Sequence, residues 1–286
     1  MFDHPLYHKS NIEYQLNYSK LINQEIEEIN VNQENFEFIS TSDGNYYGLP
    51  SILYLKCELA KSDRSNIIEI IRPHINKPRF NLSLRGIQDE ELVAKLIIEL
   101  GLQSSLLLIR SIRLNQPLAL LRSSFRKSYK SLINQQKKNI SSKVLYAESF
   151  NSSDWEGFRR LHIESAKRET RSRETWDIQA SNIISGNAYA IVLLRGSEII
   201  AGGYFLLSDK SVYYGVAASA RDNMGALVGS HLMIFNAIEF AQHLNKAFFI
   251  ISEDDISYLD EKVRNIMKYK YGFGGETEIM YNISNR

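Results

Sequence analysis

Lys270 stands between two tyrosines in KYKYGFGG, residues 268–275, where a helical pattern runs into three glycines. The C-terminal end of a helix favours a cation, and a lysine held there can bind an anion or oppose negative charge developing on a reacting oxygen. A plain helix stop uses the same residue types: Lys268 and Lys270 answer the dipole and Gly272 ends the helix. Candidate proton acceptors lie upstream. Glu253 and Asp254 belong to the acidic run SEDD (252–255), read as a loop that follows the apolar strand KAFFIIS (246–252), at the strand end where α/β folds place their sites. His231 lies near the start of a long helical pattern and is a further candidate, although a lone helical histidine is more often a packing residue.

Two basic segments are candidates for anion binding. Arg122, Arg126, Lys127, Lys130, Lys137, Lys138 and Lys143 fall in a stretch without a single acid, and Arg159, Arg160, Lys167, Arg168, Arg171 and Arg173 follow. Guanidinium forks bind phosphate and carboxylate bidentately, so the two segments, if they converge, make an anion site. Arg171 and Arg173 with Trp176, whose ring can stack on a base or sugar, are the first choices. Solvated helix faces are the bland alternative. Other chemistries lack their signatures: there is no HExxH, paired-cysteine motif, Walker A, dinucleotide fingerprint or G-x-S-x-G elbow. His4 and His8 flank Pro5 in a terminal segment where no rigid site is expected.

Positioning these residues requires a mixed α/β fold. Apolar runs predict strands at 51–59, 79–86 and 104–114, and DEELVAKLIIEL (89–100) predicts a helix with Asp89 as N-cap and Gly101 past its end. A weaker helical pattern covers 18–29. Pro117 can start a helix that opens the basic stretch. Then follow a short strand (144–147), a helix over 152–169 capped near Ser153 or Asp154, and a helix over 174–185. Strands at 187–196, 198–208 and 211–219 are joined by turns that suit an antiparallel meander. A long helix over 226–244, a strand at 246–252, a helix over 260–270 and a strand at 277–284 complete the order.

With 286 residues and 44% apolar content the chain can bury a substantial core, and two domains are expected, over 1–116 and 117–286. The formal charge of +1 excludes no partner class. A single cysteine, Cys57, rules out an intramolecular disulfide. The first residues lack a secretory signal pattern and no apolar run is long enough for a spanning helix, so a cytoplasmic protein is expected.

The order strand, two helices, three antiparallel strands, helix, strand, helix, strand resembles the GNAT acyltransferase fold. The C-terminal part is similar to the FemAB-type branch, whose members carry two GNAT-like halves, the first often degenerate. That branch has a basic stretch before the first strand of its second half, matched here by SFRKSYKSLINQQKKN. Its last helix ends in a Phe-Lys-x-x-Phe-Gly-like sequence, whose places are taken by Tyr269, Lys270, Tyr271, Gly272, Phe273 and Gly274. Tyr213, Tyr214 and Gly215 resemble the family's aromatic pair leading into a small-residue turn.

The resemblance implies N-acyl transfer, without a metal, from acetyl-CoA, another acyl-CoA or aminoacyl-tRNA. The implied acceptor is the amine of an activated amino sugar or another cell-envelope or polysaccharide precursor. It further implies an oxyanion contact from a backbone N–H where two parallel strands splay, between SVYYGVAAS and KAFFIIS. Lys270 beside that splay would stabilise the oxyanion or anchor donor phosphate, with Glu253, Asp254 or His231 taking the proton. Arg126, Lys127, Lys130, Arg168, Arg171, Arg173, Trp176, Tyr213 and Tyr214 would contact substrate. Arg221, Gly225 and Ala226, a loose echo of the pyrophosphate loop of GNAT enzymes, and Tyr269 would contact the donor. The alternative is a non-catalytic anion- or RNA-binding module on a degenerate scaffold.

Overall fold

The computed structural model describes residues 3–19, 26–78, 80–221, 228–258 and 260–285. A 3-10 turn at Pro5–Tyr7 leads into α1 (Lys9–Ser19), then β1 (Glu28–Asn32), β2 (Phe36–Thr41), β3 (Ser51–Leu55), α2 (Lys61–Ile71), β4 (Asn81–Gly86), α3 (Glu90–Leu100) and β5 (Gln103–Arg113). The chain continues with α4 (Leu118–Ser123), α5 (Lys127–Gln136), β6 (Ser141–Leu145), α6 (Ser152–Ala166) and α7 (Arg173–Ile184). It closes with β7 (Ala188–Arg195), β8 (Glu198–Leu207), β9 (Ser211–Ser219), α8 (Ser230–His243), β10 (Phe248–Asp255), α9 (Glu261–Tyr271) and β11 (Glu276–Ser284).

Local chemistry explains most boundaries. The Asp89 carboxylate accepts the Leu92 N–H at 2.8 Å, and Gly101 ends α3 in the left-handed region at φ 68°. Asn151, rather than Ser153 or Asp154, caps α6 by accepting the Asp154 N–H at 2.9 Å. The helix expected over 18–29 is replaced by α1, which ends at Ser19, and by β1, which begins at Glu28; residues 20–25 lie outside the described residues. In EINVN only Ile29 and Val31 turn inward, a period of two that suits a strand paired with β2. The acidic run SEDD is likewise not a loop, because β10 extends through it to Asp255.

Among the described residues eleven strands form one sheet in the order β1-β2-β3-β4-β11-β5-β10-β9-β8-β7-β6. Among these strands only β3 with β4 and β10 with β9 are parallel, each pair joined through a helix, α2 or α8. The two halves of the chain repeat one order: three strands, helix, strand, helix, strand. The last strand of each half lies beside the other half's parallel unit, β11 against β4 and β5 against β10. The halves are thereby interlocked through the centre of the sheet.

One face carries α2 and α3 over β2, β3 and β4, and α4, α5 and α8 over β5 and β7 to β10. The other face carries α6 and α7 over β6 to β9, closed by Trp155, Phe158 and Trp176. On that second face the central strands β4, β11, β5 and β10 floor two cavities.

Candidate active site at the strand split

Strands β9 and β10 share three ladder pairs, the last between Tyr213 and Ile250. Beyond it β9 pairs only with β8, and β10 only with β5. Each strand has a bulge at this point. Gly215 is skipped between the pairs Phe205–Tyr214 and Tyr204–Val216, and Ile251 is skipped between Ile250–Ser111 and Ser252–Arg110. A bulge sharpens local twist, and two of them just past the last shared pair turn the strands apart. Among the described residues, the backbone groups on the facing sides have no ladder partner from Tyr214 and Ile251 onward, which leaves N–H donors to meet a carbonyl oxygen.

The bulge at Ile251 also decides which way the acids point. Ser252 and Asp254 face the side of α9, whereas Glu253 and Asp255 face the opposite side with Ile109 and Leu107, their partners on β5. Two adjacent carboxylates therefore serve different faces of the sheet.

On the α9 side, Lys270 is half-buried with its Nζ 5.4 Å from the centre of the Tyr214 ring. No hydrogen bond or ion pair satisfies it among the described residues. Burial pulls its pKa below that of an ordinary lysine, while Asp254 and Glu253 act the other way. Asp254 accepts a hydrogen bond from the Ser252 hydroxyl. His231, in the first turn of α8, packs edge-on to Tyr129 (4.3 Å between ring centres) and Tyr269 (5.1 Å). Burial lowers its pKa to about 4, so the ring is neutral at pH 7, and its Nδ1 is buried without a partner among the described residues. A neutral buried imidazole with an unpartnered nitrogen needs a ligand or water to complete it.

The glycines of KYKYGFGG hold this helix end in place. Gly272 is not left-handed (φ −63°); a Cβ there would fall 2.2 Å from the Tyr129 ring, so its role is to admit that ring. The Tyr129 hydroxyl donates to the Tyr269 carbonyl at 3.0 Å, and the Arg126 N–H donates to the Gly272 carbonyl at 2.8 Å. The left-handed residues are Gly274 and Gly275, at φ 77° and 88°. They turn the chain tightly into β11.

The opposite side of the split holds groups that sequence reasoning missed. Arg85, at the end of β4, donates to Glu253 at 3.0 Å and through Nε to the Ser83 hydroxyl at 2.8 Å. His4 Nε2 lies 2.9 Å from the same Glu253 oxygen, and Tyr7 donates to the Pro50 carbonyl at 3.0 Å. Burial by itself would raise the Glu253 carboxyl; Arg85 and His4 outweigh it and hold the group well below the usual carboxylate range. Such a permanently ionised carboxylate is a poor proton acceptor, contrary to the expectation for Glu253. The terminal segment is also more rigidly placed than expected: His4 is 5% exposed, and Asp3 accepts from the Ser208 and Ser211 hydroxyls at 3.1 and 3.0 Å. Its place near the end of the apolar strand RFNLSLRG was the available signal for Arg85; nothing in the sequence joins it to His4. Next to this cluster a cavity of about 600 Å³ has an apolar floor of Ile109, Ile250 and Met280 and charged walls that include Arg85, Lys210 and Glu278.

Apart from Lys143, whose Nζ pairs with Asp154 of α6 at 2.8 Å, the two basic segments do not converge, because they sit on opposite faces of the sheet. Exposed Arg126 and Lys127, and Lys130, whose Nζ donates to the Ser123 carbonyl at 3.0 Å, stand on the Lys270 side. Across the sheet, Arg173 pairs with Glu156 and Asp177, and Arg159 with Glu156 and Glu169, which neutralises much of that segment. Arg171 binds Tyr14 and His162, and Arg168 is exposed. Trp176 is 1% exposed and packs on Trp155 and Phe158, so it is core and offers no face for stacking. Tyr213 faces His4 (5.5 Å between ring centres), and Tyr214 faces Lys270. Arg221 is exposed beyond the end of β9; Gly225 and Ala226 lie outside the described residues. Among the described residues no cluster of His, Cys, Asp or Glu side chains could hold a metal, and no helix is long and apolar enough to cross a membrane.

No protein-family model and no curated protein matches the chain. Solved structures do. FemX is 9% identical with a TM-score of 0.57, over 99% of this chain and 96% of that one. The C-terminal domain (DUF2156) of a putative lysylphosphatidylglycerol synthetase from Agrobacterium fabrum is 14% identical with a TM-score of 0.55, over 96% and 87%. L-PGS from Bacillus licheniformis is 11% identical with a TM-score of 0.52, over 98% and 92%. The chain has a GNAT-like fold of the kind seen in FemX. Within that fold β9 and β10 are a parallel pair, and Lys270 lies in the last turn of α9, beside their split.

Proposed function

We propose that this protein is an N-acyltransferase that moves an acetyl or aminoacyl group from an acyl-CoA or a charged tRNA to the amine of an amino sugar or another cell-envelope precursor. The division at 116/117 into two GNAT-like halves, with chemistry in the second, belongs to this reading. The observation that carries it is Lys270: a half-buried cation without an ion-pair partner among the described residues, beside a strand split lined by unpaired backbone groups. A structural lysine buried to this extent would ordinarily be paired.

In this reading the donor carbonyl enters the split and its oxygen meets a free backbone N–H. The acceptor nitrogen attacks the carbonyl carbon, and the C=O electron pair moves onto oxygen. Collapse of that oxyanion expels the CoA thiolate or the tRNA ribose oxygen. Lys270 opposes the negative charge and, with its pKa lowered by burial, gives a proton to the leaving group more readily than an exposed lysine. Asp254, or the neutral His231 through its free Nδ1, accepts the proton lost by nitrogen. The exposed lysines and arginine of α5 and its N-terminus stand on the same face as Lys270, which suits a donor carrying phosphates. The acceptor would approach from the opposite face, through the cavity of about 600 Å³.

The test is turnover with a panel of acyl-CoAs and charged tRNAs against amino-sugar nucleotides. Lys270→Met is expected to lower turnover at least tenfold; an unchanged rate removes Lys270 from the mechanism. Salt-sensitive RNA binding without turnover would favour a non-catalytic module instead.

A further inference from the structure

The second cavity, about 710 Å³, lies on the same sheet face as the first, at the far end of the same strands. Gln103 and Ser105 of β5 and Asn282 and Ser284 of β11 line it, whereas Ile109 and Ser111, and Glu278 and Met280, line the first. These positions alternate by twos along an unbroken β5–β11 ladder, so all face one way. Asp255 closes the polar end and accepts from Ser105 Oγ at 2.9 Å, Asn282 Nδ2 at 3.4 Å and the Ser257 N–H at 2.9 Å. Asn81 completes the wall from β4.

We propose that this cavity is a saccharide-binding subsite and that the molecule it holds is long enough to reach the strand split. Beside Pro78 and Phe80, its wall carries amides and hydroxyls, which both donate and accept, arranged around a carboxylate that can accept from sugar hydroxyls. Burial would raise the Asp255 carboxyl, but hydrogen bonds from Ser257, Ser105 and Asn282 keep it below its ordinary value. That negative charge disfavours a phosphate. A peptide taken up by strand addition would need a free sheet edge. Here β4, β11, β5 and β10 all have neighbours on both sides, so the floor offers side chains alone.

Length follows from register. Glu253, beside the split, pairs with Ile109, and Ser105 lies four residues further along β5, a reach of about 13 Å at the strand rise. A monosaccharide amine cannot occupy both places, so an acceptor using this subsite has at least two linked units.

The acyltransferase reading is needed only for what is done to the bound molecule; binding is measured without any acyl donor. The whole chain is titrated with chitotetraose, and with triglycine amide and inorganic phosphate for comparison. Chitotetraose is expected to bind, and Asn282→Leu and Gln103→Leu are each expected to weaken it at least tenfold at an unchanged melting temperature. Gln103 is exposed and keeps the test intact if Asn282→Leu misfolds. Absence of chitotetraose binding, equal affinity in the folded variants, or preference for triglycine amide or phosphate overturns the subsite. Saccharide binding without acyl transfer from any donor would sink the proposed function and leave the subsite standing; transfer to amines without saccharide binding would do the reverse.

Discussion

Replacing Arg85 with methionine removes a guanidinium that is 4% exposed and 3.0 Å from Glu253, itself 12% exposed. The carboxylate is then left buried beside His4 alone. Deleting one partner of a buried pair costs about 3–5 kcal/mol, because the other charge loses compensation. His4 Nε2 remains 2.9 Å away and offsets part of this, so the low end applies, about 3 kcal/mol. For a chain of this size that lowers the melting temperature by about 5 °C. Arg85→Met with Glu253→Gln removes both charges, and the double variant should recover about 2 kcal/mol relative to the sum of the singles.

The pH dependence has a definite sign. Glu253 is depressed in the folded state, so its contribution is present above its ordinary value of 4.5 and is lost as pH falls through and below it. Urea denaturation at pH 7 and pH 4 measures both effects, and Glu253→Gln should flatten the acid limb. A loss below about 1 kcal/mol for Arg85→Met, or simple additivity in the double variant, would refute the view that this pair is a buried, coupled lock between the two halves.

Gly272→Ala drives a Cβ to within 2.2 Å of the Tyr129 ring, and overpacking of this kind should cost about 1–3 kcal/mol; adding Tyr129→Ala should make the loss less than additive by chemical denaturation. His231 and His162 both titrate near pH 4 because of burial. Their lowered values mean stability that is complete above the unfolded value near 6.5 and lost as pH falls toward 4, which NMR titration of the ring protons checks together with denaturation curves. Lys127→Glu with Lys138→Glu should weaken binding of a phosphate-bearing donor and lessen its salt dependence. Arg168→Glu, on the opposite face, should leave that binding unchanged.

Much of the second half was legible because its elements carry strong local signals. The meander β7–β9 has tight turns between apolar runs, and the helix before it ends at Gly186, in the left-handed region at φ 74°. The N-terminal half was read less well. In α2, KSDRSNIIEII buries only Ile67, Ile68 and Ile71, too sparse a stripe to stand out, and β1 shares its residues with a helical pattern. Trp176 looked like a binding residue because it follows a run of arginines, but its burial depends on Trp155 and Phe158 from another helix.

The sequence by itself determined the lysine between tyrosines at a helix end, the glycines that follow it, the small-residue strand YYG and the overall order of elements. Each of these is a short-range property: period, capping or the sterics of a missing Cβ. Only the tertiary structure decided that the acidic run is a strand, that the bulge before it turns Asp254 toward Lys270 and Glu253 to the other face, that Arg85 and His4 meet Glu253, and that most of the two basic segments stand apart. Register, bulges and strand exchange are set by pairings between residues as distant in sequence as Asn81 and Ser284. No local pattern encodes which distant strand will be the neighbour, and so none encodes which charges will share a buried site.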